Sequence, residues 1–285
     1  MRGQCRLYDT EEDLKESHIY PKFVIDYLKE TGSKYLRNFV TPNKRLQDGP
    51  KIYILSEKAE QEFSKREKWF AENIFREYII KKKLLFDYNE NLFYFTVSLL
   101  WRVLLLQLDH HAVIKQPFIG VLHEVEKEWK EFLRGYKYPI NYDRFYLFFT
   151  DRVKSHNIDA KGVDYYMTRA LDSTIVYNDN QTFLAVYGKF TRFVFWGVIK
   201  GGEETKISDL KINPIGGKLR VPQKFDDTVM TSFFMNRIKE FEFLPKPSNK
   251  QHKKIIDEIL KDKEGFFKSD AGQSIRNDHL NLDPL

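Results

Sequence analysis

From residue 56 onward, Ala59, Phe63, Phe70, Ile74 and Tyr78 recur at multiples of about four, the spacing of one face of an amphipathic helix. Ser56 suits its N-cap, and Glu57 sits in the first turn, where a negative charge is favourable. Residues 90–109 are apolar on nearly every side and predict a buried helix. Residues 118–133 carry Phe118, Leu122, Val125, Trp129, Phe132 and Leu133 on one face and glutamates on the other, which predicts a third helix. The pattern then shifts to aromatic and β-branched runs at 145–150, 165–170, 173–177, 182–188 and 191–199, each a predicted strand. The segment NDNQ at 178–181 reads as a hairpin turn, and Gly201-Gly202 ends the meander. One or two short strands are expected within 207–221, around a turn at 214–217. Helices are expected at 226–240 and at 249–261, the latter with Ile255, Ile256, Ile259 and Leu260 inward. The tail from Asp270 is polar and reads as loose. Residues 1–55 read as irregular, with loops at 30–33 and 42–49 and short strands at 34–40 and 51–55. No internal repeat is visible.

The expected fold is therefore α+β. A unit at 1–80 leads into a helical layer at 81–138, then a mostly antiparallel β-rich half with closing helices at 139–285. Apolar residues make up 42% of the 285 and aromatics 15%, enough to build a sizeable core. Cys5 is the only cysteine, which excludes internal disulfides and any multi-cysteine zinc site. The first residues lack the apolar centre of a signal peptide. The most apolar run, 92–108, has Arg102 near its middle, and a central arginine is costly in a bilayer. A buried helix, no membrane association and a cytoplasmic location are the expectations. The net charge of +6 and pI of about 9.0 make a polyanionic partner plausible, because neutralising phosphates releases counterions.

The string KESHIYPKF at 15–23 places His18 before Ile19 and Pro21. CRLYD at 5–9 has the form of a C-x-x-C knuckle with Tyr8 in the second cysteine position. LSEKAEQEFSKREKWF at 55–70 is similar to an L-C-x-x-C-E-x-x-F-S-x-x-E helix start, with Ser56 and Ala59 in the cysteine positions. LRNFVTPNKRLQDG at 36–49 has the look of the intervening loop. Over residues 4–75 the chain thus resembles bacterial HNH-endonuclease-like proteins with a C-x-x-C, S-H-I-x-P, C-x-x-C-E layout.

That resemblance implies a treble-clef scaffold whose ββα unit cuts nucleic acid with a metal ion. His18 would be the general base on water, and Mg²⁺ or Mn²⁺ would neutralise the scissile phosphate. Glu60 stands where the family carries a metal-binding histidine and is a hard-ligand substitute. Asn43 and Asp48 are further metal candidates by location. Lys22, Lys44 and Arg45 would grip the nucleic-acid backbone, and an anti-phage role is implied. The departures are Tyr8, Ser56 and Ala59 for three zinc cysteines and Ser17 for the aspartate before the base. No structural zinc is expected; packing by Tyr8, Ala59 and Phe63 would hold the finger instead. These losses keep a second reading open, a non-catalytic platform for a partner protein or nucleic acid.

Other strings carry less. Asp109-His110-His111-Ala112 spells the signature of the DHH phosphoesterases, but it ends a helix, where histidines suit the terminal carbonyls. The basic runs at 81–83 and 250–254 read as solvated helix ends. Tyr165, Tyr166, Phe190, Phe193, Phe195 and Trp196 could stack bases, but sheet aromatics are more often core. Glu67 is expected to pair locally with Arg66 or Lys68. No phosphate-binding P-loop, dinucleotide fingerprint or serine elbow is present, and no small-molecule cofactor is expected.

Overall fold

A computed structural model describes residues 1–38, 40–153, 160–202, 206–224 and 226–280. Helices and mostly antiparallel strands together make an α+β fold. The N-terminal strands β1 (Arg2–Gln4), β2 (Glu11–His18) and β3 (Lys51–Ser56) form an antiparallel sheet in that order. Helix α1 (Lys22–Glu30) lies in the connection from β2 to β3 and buries Val24, Ile25 and Leu28. The expected irregular stretch is thus largely ordered. Alternation along β2 is masked by a register shift at Lys15/Glu16, and α1 is short, with Pro21 rather than a polar side chain at its N-cap. The expected strand at 34–40 is only an isolated bridge from Leu36 to Leu46, and its Phe39 lies outside the described residues.

Helix α2 (Glu57–Phe70) starts where expected: the Ser56 hydroxyl accepts from the Ala59 amide. A π-turn over Ala71–Phe75 carries the chain into α3 (Arg76–Ile79), turning Ile74 and Phe75 both inward. Strand β4 (Leu85–Asn89), which the sequence pattern does not announce, pairs with β9 (Gly216–Arg220). Helix α4 (Glu90–Leu108) follows at once. It is long and apolar enough to cross a membrane, yet 78% of its most apolar stretch is buried inside the protein. The short α5 (His111–Ile114) leads to α6 (Ile119–Leu133), which packs beside α4.

The second sheet has the order β5-β8-β7-β6, with β5 (Phe145–Phe149), β6 (Leu171–Tyr177), β7 (Leu184–Phe190) and β8 (Phe193–Lys200) all antiparallel. One face packs on α4, where Phe70 stacks on Phe95 at 4.2 Å and meets Phe193 edge-on at 5.3 Å. The other face carries Tyr146, Tyr187 and Trp196 beneath Met230, Phe234 and Ile238 of α8 (Thr228–Phe243). The candidate stacking aromatics Tyr166, Phe190, Phe193, Phe195 and Trp196 are all buried in these two layers.

Three expectations fail at the C-terminal side. Helix α9 (Asn249–Lys261) forms but does not turn its apolar residues inward: it buries none of them, and Ile256 and Leu260 are exposed, because the helix meets the 42–49 loop through the polar partners Asn43 and Arg45. The expected strand at 165–170 is instead the greater part of α7 (Val163–Arg169) and its extended C-cap, Ala170. Its first amides, Asp164 N and Tyr165 N, are capped by the Asp278 carboxylate at 2.7 and 3.1 Å, a partner more than a hundred positions away that no local pattern reveals. The tail is not loose: after α9 and α10 (Lys263–Lys268), α11 (Asp270–Leu280) docks on α7. The last residues of that tail, 281–285, lie outside the described residues.

Lys189 of β7 is fully buried opposite Asp172, under the Tyr166 ring at 5.2 Å, and donates to the Met167 carbonyl at 3.2 Å. Burial, helped by Arg192 and resisted by Asp172, pulls its ammonium down to about 7 from an ordinary 10.5. Below that pH the folded protein holds a charge in a site that disfavours it. Between about 7 and 10.5 only the unfolded chain carries the proton, so stability rises with pH there by on the order of 1 kcal/mol per unit. Lys189→Met should remove that rise, as urea melts at about pH 6 and about pH 9 would report; an unaltered slope contradicts it.

Candidate functional site

Cys5 to Thr10 form a tight knuckle, closed by bonds from Asp9 N to Cys5 O and from Cys5 N to Thr10 O, both 2.8 Å. The Cys5 thiol accepts from the Ser56 amide at 3.3 Å, so the two segments that resemble knuckles meet. Ala59 and Phe63 are buried beside them, and the Lys58 ammonium lies 4.6 Å from the Tyr8 ring centre. A hydroxyl, a methyl and a phenol at these positions pack but offer no soft donors for zinc.

His18 closes β2 and pairs in register with Lys51 at the start of β3. The intervening chain returns through Asp48, whose Oδ1 accepts from His18 Nε2 at 3.0 Å and from the Gly49 amide at 2.8 Å. Lys51 Nζ lies 2.7 Å from the other oxygen, Oδ2. Partial burial opposes ionisation of Asp48, but the hydrogen bonds from Lys51, His18 and Gly49 outweigh it and hold the carboxyl well below the usual range. Asp48 therefore contributes stability that is fully present above its ordinary value of about 4 and is lost as pH falls below it. The His18 side chain keeps 19% exposure and Asp48 34%, so the pair is open to solvent on one side.

Behind this pair stands Arg102, the arginine of the apolar helix. It is 3% exposed and donates through Nη1 to the His18 carbonyl at 2.9 Å and through Nε to Ser98 O at 3.2 Å. Its Nη2 lies 2.8 Å from Glu67 Oε1, and the guanidinium sits 5.3 Å from the Phe63 ring centre. Glu67 therefore pairs across helices and not with Arg66 or Lys68, because α2 turns this residue toward α4. Arg66 instead takes Glu62 at 2.7 Å.

The remaining sequence candidates go elsewhere. Asn43 Oδ1 accepts from the Ser248 amide at 2.8 Å, and Arg45 pairs with Glu258 at 2.5 Å, so both fasten their loop to α9. Lys22 pairs with Asp26 on its own helix at 2.7 Å, while Lys44 is exposed. Glu60 Oε1 and the neighbouring strand's Ser17 Oγ are shielded from solvent without a hydrogen-bond partner among the described residues. His110 caps α5 and His111 is exposed; Lys81 and Lys83 both reach Glu77.

Among the described residues no three His, Cys, Asp or Glu side chains gather in a way that could hold a metal ion. Asp48, Glu60 and Asn43 do not form a common set: Asp48 has both oxygens engaged and Asn43 serves α9. The donors present do not fit a preformed Mg²⁺ or Mn²⁺ cage, which needs several oxygens around one point. What the arrangement offers is an oriented imidazole. A carboxylate that accepts from Nε2 fixes the tautomer with the proton on that nitrogen and leaves Nδ1 as a base. No protein-family model matches the chain, no curated protein matches its sequence and no solved structure matches its fold.

Proposed function

We propose that this protein cleaves phosphodiester bonds of nucleic acid, with His18 as the general base. The supporting observation is the 3.0 Å bond between His18 Nε2 and Asp48 Oδ1 at the half-exposed end of β2. Asp48 orients the ring and stabilises the imidazolium formed when Nδ1 takes a proton from the attacking hydroxyl or water. Arg102 fixes the His18 peptide from behind. Lys44, exposed on the loop that carries Asp48, supplies charge for a nearby phosphate, and the +6 chain draws the polyanion in. No step is assigned to a metal, and Mg²⁺, Mn²⁺ and EDTA are arms of the test. Plasmid, single-stranded DNA and RNA are incubated with the wild type and with His18→Ala. Cutting lost with His18 supports the proposal, and equal cutting by both contradicts it.

A second reading, a non-catalytic platform for nucleic acid or a partner protein, is favoured by the attachment of Asn43 and Arg45 to α9. On this reading the N-terminal unit is a rigid structural part. Retained binding without cutting by the wild type would select it.

A further inference from the structure

At the far end of α1 from His18, three arginines from three elements converge on one carboxylate. Arg152 follows β5, Arg169 ends α7 and Arg192 sits in the turn between β7 and β8. Asp270, the first residue of α11, lies with Oδ1 2.5 Å from Arg152 Nη2 and 2.6 Å from Arg192 Nη2. Its Oδ2 is 3.1 Å from Arg169 Nη1 and 3.2 Å from Arg192 Nη1. Arg169 and Arg192 are each 3% exposed. The Tyr27 hydroxyl, 3.3 Å from Arg192, closes the α1 side.

We propose that Arg152, Arg169 and Arg192 form a binding site for a phosphate group, and that Asp270 occupies it as a tethered stand-in. α11 and a phosphate-bearing ligand then compete for the same place. Four guanidinium bonds fill the lone-pair sites of the Asp270 carboxylate, and one further buried donor is left over. Three guanidinium forks face two oxygens, and Arg169 Nε is buried with no partner among the described residues; a phosphate brings an additional oxygen. Charge points the same way. Asp164, fully buried and 3.0 Å from Arg152, balances one arginine, whereas Asp151 beside Arg192 is 54% exposed and screened. Arg169 and the partly compensated Arg192 remain, and Asp270 meets them with a single charge where a phosphate dianion brings two.

The stand-in is also held in a way that lets it leave. α9 and α10 bury no residue, and α11 buries only Ala271, Gly272 and Ser274. Its grip is polar: Ser274 Oγ on Thr168 Oγ1 at 2.7 Å, Asn277 on Asp164 at 3.1 Å, and Asp278 on the first amides of α7. Opening also breaks the ion pairs of Asp270, but it exposes the arginines to water or to a competing anion, and the few apolar contacts of α11 leave little else to oppose it. The site is independent of the His18 chemistry, and its test requires no cleavage.

The test is amide exchange over 270–280 in the full-length wild type. Inorganic pyrophosphate, a 5′-phosphorylated oligonucleotide and the same oligonucleotide with a 5′-hydroxyl are compared with sodium chloride at equal ionic strength. A ligand that binds only the open arm, at ten times its dissociation constant, should speed exchange about tenfold. Acceleration by pyrophosphate alone assigns a free phosphate compound. Acceleration by the 5′-phosphate and not the 5′-hydroxyl strand assigns a nucleic-acid end. No acceleration by any phosphate overturns the proposal. Asp270→Ala gives a second readout: inorganic phosphate should raise its melting temperature over matched chloride, and the rise should vanish when Arg192→Ala is added. If Asp270→Ala does not fold, the wild-type exchange result decides.

Discussion

Arg102→Ala is expected to lower the unfolding free energy by about 3–5 kcal/mol, because it breaks a buried ion pair from one side only. The truncation leaves Glu67, 19% exposed, facing an apolar helix with no cation. It strips the side-chain donor from the His18 carbonyl, and a buried acceptor left unmade costs about 1–3 kcal/mol; Ser98 O keeps its helical amide. It also opens a cavity against Phe63, adding to the loss. Replacing both partners, Arg102→Met with Glu67→Gln, should cost clearly less, since the charge is then removed with its counter-charge. Urea unfolding of the three proteins measures the difference. A loss below about 1 kcal/mol for Arg102→Ala would mean that the pair behaves like a solvated surface bridge.

Asp48→Asn should reduce cleavage by about 10²-fold or more while leaving the fold intact. An amide can donate to His18 Nε2, which favours the opposite tautomer and places the ring proton on Nδ1, where the base is needed. Lys51 loses one partner but keeps Glu16 at 3.3 Å. Lys51→Met is the matched control: it leaves the His18–Asp48 bond in place and should stay within about tenfold of the wild type. If the two variants lose activity equally, the lysine charge rather than the tautomer is what matters.

Much of the layout was legible because long periodic segments are governed by burial. α4, α6, the hairpin turn at 178–181 and the Ser56 cap follow the pattern of residues closely, while α9 forms within its expected bounds but leaves its apolar face unburied. The misses have a common cause. α7 carries aromatic residues that suit a strand, yet its helix is capped by Asp278 from α11. α11 itself is polar and is ordered by three arginines that come from other parts of the chain. Such tertiary partners leave no mark in a local window.

The site was legible in the same partial way. His18 stood out by its motif and Asp48 only by its place in a loop; the bond between them joins residues thirty positions apart. Glu67 and Arg102 were readable as residue types, a helical glutamate and an arginine inside an apolar run. That they meet behind His18 depends on how α2 crosses α4, which periodicity does not encode. Asn43 and Arg45 looked free in the sequence because α9, which engages them, lies some two hundred positions further on.

Whether His18 is a base for phosphodiester cleavage is decided by the cutting of plasmid, single-stranded DNA and RNA by the wild type and by His18→Ala. At least one substrate should be cut by the wild type, and its rate should fall by about 10²–10⁴-fold in His18→Ala, which stays folded at the assay temperature by circular dichroism. Cutting at the same rate by both proteins, or binding of all three nucleic acids without any cutting under Mg²⁺, Mn²⁺ or EDTA, would contradict that role.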